Sequence, residues 1–173
     1  MVFKKYAFRR YDKSYPILFA IEKTRLKEIL PKDSQIEHVG STAVKGLGGK
    51  GMIDIAISVN KKELIKYLKN LEENGYVYKP KFPDKERKYL ERRIIKNGKE
   101  RRIHLHLTNK NSYVWKEFLI FRDVLRNNEK IKEEYSRLKK KALIYSKGDG
   151  KKYLEYKQPF IRKIIEEYKN EYS

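Results

Sequence analysis

The sequence predicts a single α/β domain over residues 1–173, an α+β arrangement with a mixed central sheet, flanking helices and a C-terminal helical segment. Three observations carry this. In residues 52–59, Ile53, Ile55, Ile57 and Val59 recur every second position, the period of a strand with one apolar face. In residues 61–74, Leu64, Leu68 and Leu71 fall on one stripe, with Ile65 and Tyr67 beside it, the period of an amphipathic helix. After residue 113 only helical periodicity recurs.

The elements follow in order. Ile17, Phe19, Ile21, Leu26, Ile29 and Leu30 suit a helix that Pro31 ends. Residues 35–40 suit a short strand. Residues 41–51 hold Gly46, Gly48, Gly49 and Gly51 and read as a loop or a broken helical turn, because glycine is costly inside a helix. On the 52–59 strand, the face opposite the isoleucines carries Asp54, Ala56 and Ser58. An acid beside two small residues leaves room for a ligand there. Asn60 and Glu63 have capping-box spacing, and Gly75 suits the position just past a helix end. Residues 76–79, 89–95 and 102–108 read as strands, with Asn97-Gly98 as a hairpin signal between the last two.

Residues 113–126 carry a stripe of Val114, Phe118, Phe121 and Leu125. Ile131, Tyr135, Leu138, Ala142 and Tyr145 give a second helix, stopped near Gly148. A third runs from about residue 149 to the end, kinked or split by Pro159. No repeat and no linker interrupts the chain.

Composition bounds the function. No cysteine is present, which excludes disulfides and thiolate metal sites. No stretch approaches the roughly 18 apolar residues that span a bilayer, and the first residues lack an apolar signal core. A cytoplasmic protein with no membrane partner is the expectation. The net charge is +20, from 43 basic and 23 acidic residues. Such a field attracts polyanions, so nucleotide phosphate or RNA is one reading. Solvated helix faces spread along the chain are the other.

The stretch Ile36-Glu37-His38-Val39-Gly40-Ser41-Thr42-Ala43-Val44 carries the chemistry, with Lys50 and Asp54 after it. A strand ending in Gly-Ser can present N–H groups and a hydroxyl to a phosphate. A carboxylate at Asp54, on the adjacent strand, suits Mg²⁺ held against that phosphate. The alternative is a plain turn and a satisfied acid at a strand end.

These residues resemble the signature of the GrpB family: Ile-Glu-His-hydrophobic-Gly-Ser-Thr-Ala-Val, then Gly46-Leu47, Lys50 and Ile53-Asp54-Ile55. Tyr11, Asp12, Pro16 and Phe19 resemble its opening, and Arg102, His104, Leu105 and His106 its His-x-His strand. Residues 121–126 with Tyr135, Leu138 and Lys139 resemble its helical segment, and Tyr156, Lys157, Phe160 and Ile161 its closing helix. The resemblance implies a nucleotidyltransferase-like, polymerase-beta-like core. In that superfamily the Gly-Ser turn binds nucleotide phosphates and acids on neighbouring strands bind two divalent metals. It therefore implies a nucleoside triphosphate at Gly40, Ser41 and Thr42, and Mg or Mn at Asp54. The chain departs from the pattern at Ala56, where the second metal-binding acid is absent, and at Lys45 and Gly51, where relatives tend to have proline. Two-metal phosphoryl transfer uses both ions, so the absence of this acid argues against that mechanism.

His104 and His106 lie two apart, so a strand places both on one face. With His38 and Asp54 they make a candidate metal or acid–base set. Imidazole suits Zn, Ni or Mn better than Mg. Structural hydrogen bonding within the sheet is the alternative. Arg122 and Arg126 lie one helical turn apart beside the apolar stripe. They suit either a ligand phosphate or salt bridges, as with Asp123 or Glu129. Lys50 and Lys157 are further candidates of that kind. The run Lys139-Lys140-Lys141 reads as a solvated helix face.

Overall fold

The computed structural model describes residues 8–80, 86–96 and 98–172. Helix α1 (Tyr15–Ile29) carries Pro16 in its first turn, where no N–H is needed. It ends at Leu30, which is extended as a residue before proline must be. Strand β1 (Gln35–Val39) runs into a 3₁₀ turn over Ser41–Ala43, and strand β2 (Ile53–Val59) follows the glycine loop. Asn60 accepts a hydrogen bond from the Lys62 N–H and starts a 3₁₀ turn that leads into helix α2 (Leu64–Glu73). Gly75, at φ 86°, closes that helix. The Gly75 N–H bonds to Glu72 and the Tyr76 N–H to Leu71, the paired bonds of a glycine-stopped helix end.

Strands β3 (Val77–Tyr78), β4 (Arg87–Lys96) and β5 (Lys99–Asn109) complete the sheet. Lys96 pairs with Lys99 across a two-residue turn in which Gly98 has φ 69°. Asn97 lies outside the described residues. The spatial order is β1-β2-β5-β4-β3, antiparallel except for the central β2–β5 pair. One face is the main core. Ile53, Ile55, Ile57, Ile103, Leu105 and Leu107 are wholly buried there against Leu18 and Leu26 of α1 and Leu68 and Leu71 of α2.

Helices α3 (Tyr113–Asn127), α4 (Glu129–Ser146) and α5 (Gly150–Tyr168) follow, capped by the side chains of Ser112, Asn128 and Asp149. Pro159 lies inside α5 and does not split it. The expected stripe on α3 needs correction. Its most buried side chains are Trp115, Ile120, Arg122, Val124 and Leu125, while Val114, Phe118 and Phe121 are half-buried. The helix is packed on two sides: Trp115 and Phe118 meet the sheet, and Ile120 and Val124 meet Ile164 of α5. The expectation for α4 is corrected at both ends of polarity. Tyr145 is 59% exposed, whereas Lys139 is 2% exposed. No helix among the described residues is long and apolar enough to cross a membrane.

Candidate functional site

Pairing fixes what stands on the second face of the sheet. Val39, Asp54, His104 and Glu91 are neighbours in register across β1, β2, β5 and β4. Glu37, Ala56, His106 and Tyr89 form the next row. Paired residues share a face, so Asp54, both imidazoles of the His-x-His strand and Glu91 open to one side. His104 Nδ1 lies 3.2 Å and His106 Nε2 3.6 Å from the same oxygen, Asp54 Oδ1. Burial opposes ionisation of Asp54, but the bonds from His104 and then His106 outweigh it and hold its carboxyl well below the usual carboxylate range. Burial lowers His106, with Asp54 acting against the shift.

The Gly40–Ser41 turn reaches the same place because Gly40 adopts φ 69°, ψ −169°, a region essentially reserved for glycine. Three lysines arrive from separate elements: Lys50 from the glycine loop, Lys139 from α4 and Lys157 from α5. Lys50 Nζ lies 3.7 Å and Lys157 Nζ 4.3 Å from the centre of the Tyr153 ring, and Lys139 Nζ lies 5.0 Å from that of Tyr135. Lys139 also donates to the Gly48 carbonyl. Burial first, then the charge of Lys157, pushes Lys50 and Lys139 down to about 7. Burial takes Lys157 to about 8. Together these groups line a cavity of about 410 Å³, whose sheet side adds Arg87, Arg102 and Tyr89.

Of the residues the sequence singled out, Gly40, Ser41, Lys50, Asp54, His104, His106 and Lys157 line this cavity. Four do not. His38 pairs with Ile55 and so faces the apolar side, stacked on Phe19 at 4.8 Å. Burial lowers it to about 4. Thr42 is buried, with its hydroxyl donated to the Met52 carbonyl and 3.0 Å from His38 Nε2. Arg122 bonds to Glu37, to Asp123 and to the His38 carbonyl. Arg126 donates to the Ala43 carbonyl. The two arginines thus tie α3 to both ends of the Gly-Ser turn. They position the turn and do not face the cavity.

Two further expectations change. The space beside Asp54 is partly taken, because Ala56 packs under Trp115, Val39 and Phe118. Lys139 does not belong to a solvated run. Tyr135, Lys139, Ala142 and Ser146 are the buried residues of α4, at spacings of four, three and four. That stripe is the signal in the sequence that would have found it. On α5, Tyr153 is buried and Lys157, four residues on, is half-buried on the same side of the helix.

The donor set does not suit the two divalent metals that the resemblance implies. The position of a second acid is Ala56, sealed under α3. Both imidazoles address the same oxygen of Asp54. Among the described residues no group of three or more His, Asp or Glu side chains is arranged to hold an ion. The groups nearest in kind are cations.

Comparison with known proteins agrees with this architecture. A UPF0157 protein of Halalkalibacterium halodurans is 34% identical over 157 residues, covering 90% of this chain and 78% of that one. The glutamate-rich protein GrpB of Alkalihalophilus pseudofirmus is 29% identical over 161 residues, covering 91% and 92%. The crystal structure of conserved protein GrpB from Enterococcus faecalis superposes with a TM-score of 0.81 at 31% identity, over 96% of this chain and 99% of that one. The profile of the GrpB protein family matches residues 6–167, nearly the whole length of the sheet and its helices, and the chain belongs to the GrpB family.

Proposed function

We propose that this protein binds a phosphate-bearing ligand, a nucleotide by class, in the cavity between the polar sheet face and helices α4 and α5. One observation carries the reading: three lysine ammonium groups from three elements line one cavity together with the Gly40–Ser41 turn. A cavity of about 410 Å³ lies within the range of small-molecule sites. Positive groups of limited exposure are strong anion partners, because the surrounding dielectric is low. The nucleotidyltransferase likeness of the sequence motif favours a nucleotide over other anions. Asp54, held ionised by two imidazoles, faces the same space, which supports a role for its carboxylate beside the bound ligand.

Equilibrium dialysis against each labelled nucleoside triphosphate tests the reading. Saturable binding of at least one, competed by inorganic tripolyphosphate, is the expected result. Absence of binding by folded protein to all of them would remove it. Net charge of +20 favours RNA as a second ligand class. That reading predicts affinity that falls steeply with salt and is insensitive to substitution of Lys139 deep in the cavity.

A further inference from the structure

We infer that Lys50, Lys139 and Lys157 form a polyphosphate subsite that neutralises a di- or triphosphate with ammonium groups alone, so that the ligand binds without a divalent metal. The inference rests on the reading of the cavity as an anion site. It goes further by assigning which part of the ligand binds where, and by what charge.

The three groups surround two aromatic rings. Lys50 and Lys157 flank the Tyr153 ring, and Lys139 and Lys157 flank the Tyr135 ring, at 5.0 Å and 6.0 Å from its centre. Among the described residues no carboxylate forms an ion pair with Lys139 or Lys157. A buried ammonium without a counter-charge is costly to a fold. Lys139 meets one carbonyl, that of Gly48, and an ammonium has three donors. Asp54, which lines the same cavity, already accepts two imidazoles on one oxygen. Lys139 and Lys157 therefore lack a counter-charge of the kind that a phosphate chain supplies.

The same facts argue against a metal in this subsite. A divalent cation would sit among three ammonium groups, with Asp54 and Glu91 as the carboxylates of the lining, Glu91 directed at His104, and Ala56 where the second metal-binding acid would stand. The phosphates would run from the lysine cluster toward the Gly40–Ser41 turn, and the rest of the ligand toward Tyr89, Arg87 and Arg102 at the sheet side.

Isothermal titration of the full chain with ATP, AMP and inorganic tripolyphosphate, each in excess EDTA and again in Mg²⁺, tests this. Expected are affinities for ATP and tripolyphosphate that agree within about twofold between the two buffers, and AMP weaker by about tenfold or more. Lys157→Met and Lys139→Met, each confirmed folded by thermal melting, should weaken tripolyphosphate by about tenfold or more. Binding of ATP that appears only with Mg²⁺ would overturn the metal-free subsite and leave the anion site standing. AMP binding as tightly as ATP, or both lysine variants binding tripolyphosphate like the parent, would overturn the lysine assignment. No binding of any probe in either buffer would overturn the anion site itself, and this inference with it.

Discussion

Gly40 and Asp54 touch so closely that no side chain fits between them. A Cβ on Gly40 would stand 2.6 Å from Asp54 Oδ2, and the Gly40 φ of 69° is itself one that other residues avoid. The turn thus lies directly on the carboxylate. Any substitution there must displace one or the other.

Gly40→Ala should therefore destabilise the fold by about 1–3 kcal/mol, the usual range for a residue forced into such a backbone region. Chemical denaturation measures it. A stability equal to that of the parent protein would show that the turn relaxes freely and does not hold the cavity's edge.

Lys139→Met should raise stability at neutral pH by about 1 kcal/mol, because a buried ammonium without a carboxylate partner is replaced by an apolar chain of similar length. Loss of the bond to Gly48 works against the gain, so a small increase is expected. The same variant should lose tripolyphosphate binding. A group that costs stability and serves a ligand gives opposite signs in the two measurements.

The pH dependence of stability follows from the same lysines. Unfolded, each titrates near 10.5; folded, Lys50 and Lys139 titrate at about 7 and Lys157 at about 8. Between those values the unfolded chain holds more protons than the folded one, so stability rises as pH increases from about 7 toward 10.5. Anion binding runs the other way and weakens as the amines lose protons. Melting temperatures and tripolyphosphate affinity measured from about pH 6 to about pH 10, on either side of the folded values, should cross in this sense.

Arg122→Met should cost about 2 kcal/mol. Breaking a buried ion pair costs more, but Glu37 and Asp123 are partly exposed and water compensates them. The His38 carbonyl also loses its donor. Tripolyphosphate affinity should fall only modestly, since the residue supports the turn and does not face the ligand. A loss as large as that of Lys157→Met would place Arg122 in the site after all.

Asp54→Asn should leave ATP binding as tight or tighter, because it removes negative charge that faces the lysines. Titration against the parent protein decides it. Weakening by more than about tenfold would mean that Asp54 itself holds the ligand, directly or through a cation.

Much of this architecture was written in short-range pattern. The period-two isoleucines of β2, the leucine stripe of α2 and the stop at Gly75 are local consequences of burial and backbone freedom, and the chain adopts them as its sequence implies. The spacing of His104 and His106 guaranteed that they share a face, and the motif around Gly40 and Asp54 placed the chain in its family. Tertiary structure decided the rest. His38 and Asp54 are close in the motif, yet strand register sends them to opposite faces, because His38 pairs with Ile55 and successive side chains along a strand alternate sides. Arg122 and Lys139 are both cations on amphipathic helices, and only packing turned one into a brace for the turn and the other into a wall of the cavity. Helix periodicity says which side of a helix is buried. What that side is buried against depends on contacts some 90 residues apart, such as that from Lys139 to Gly48, which no local pattern contains.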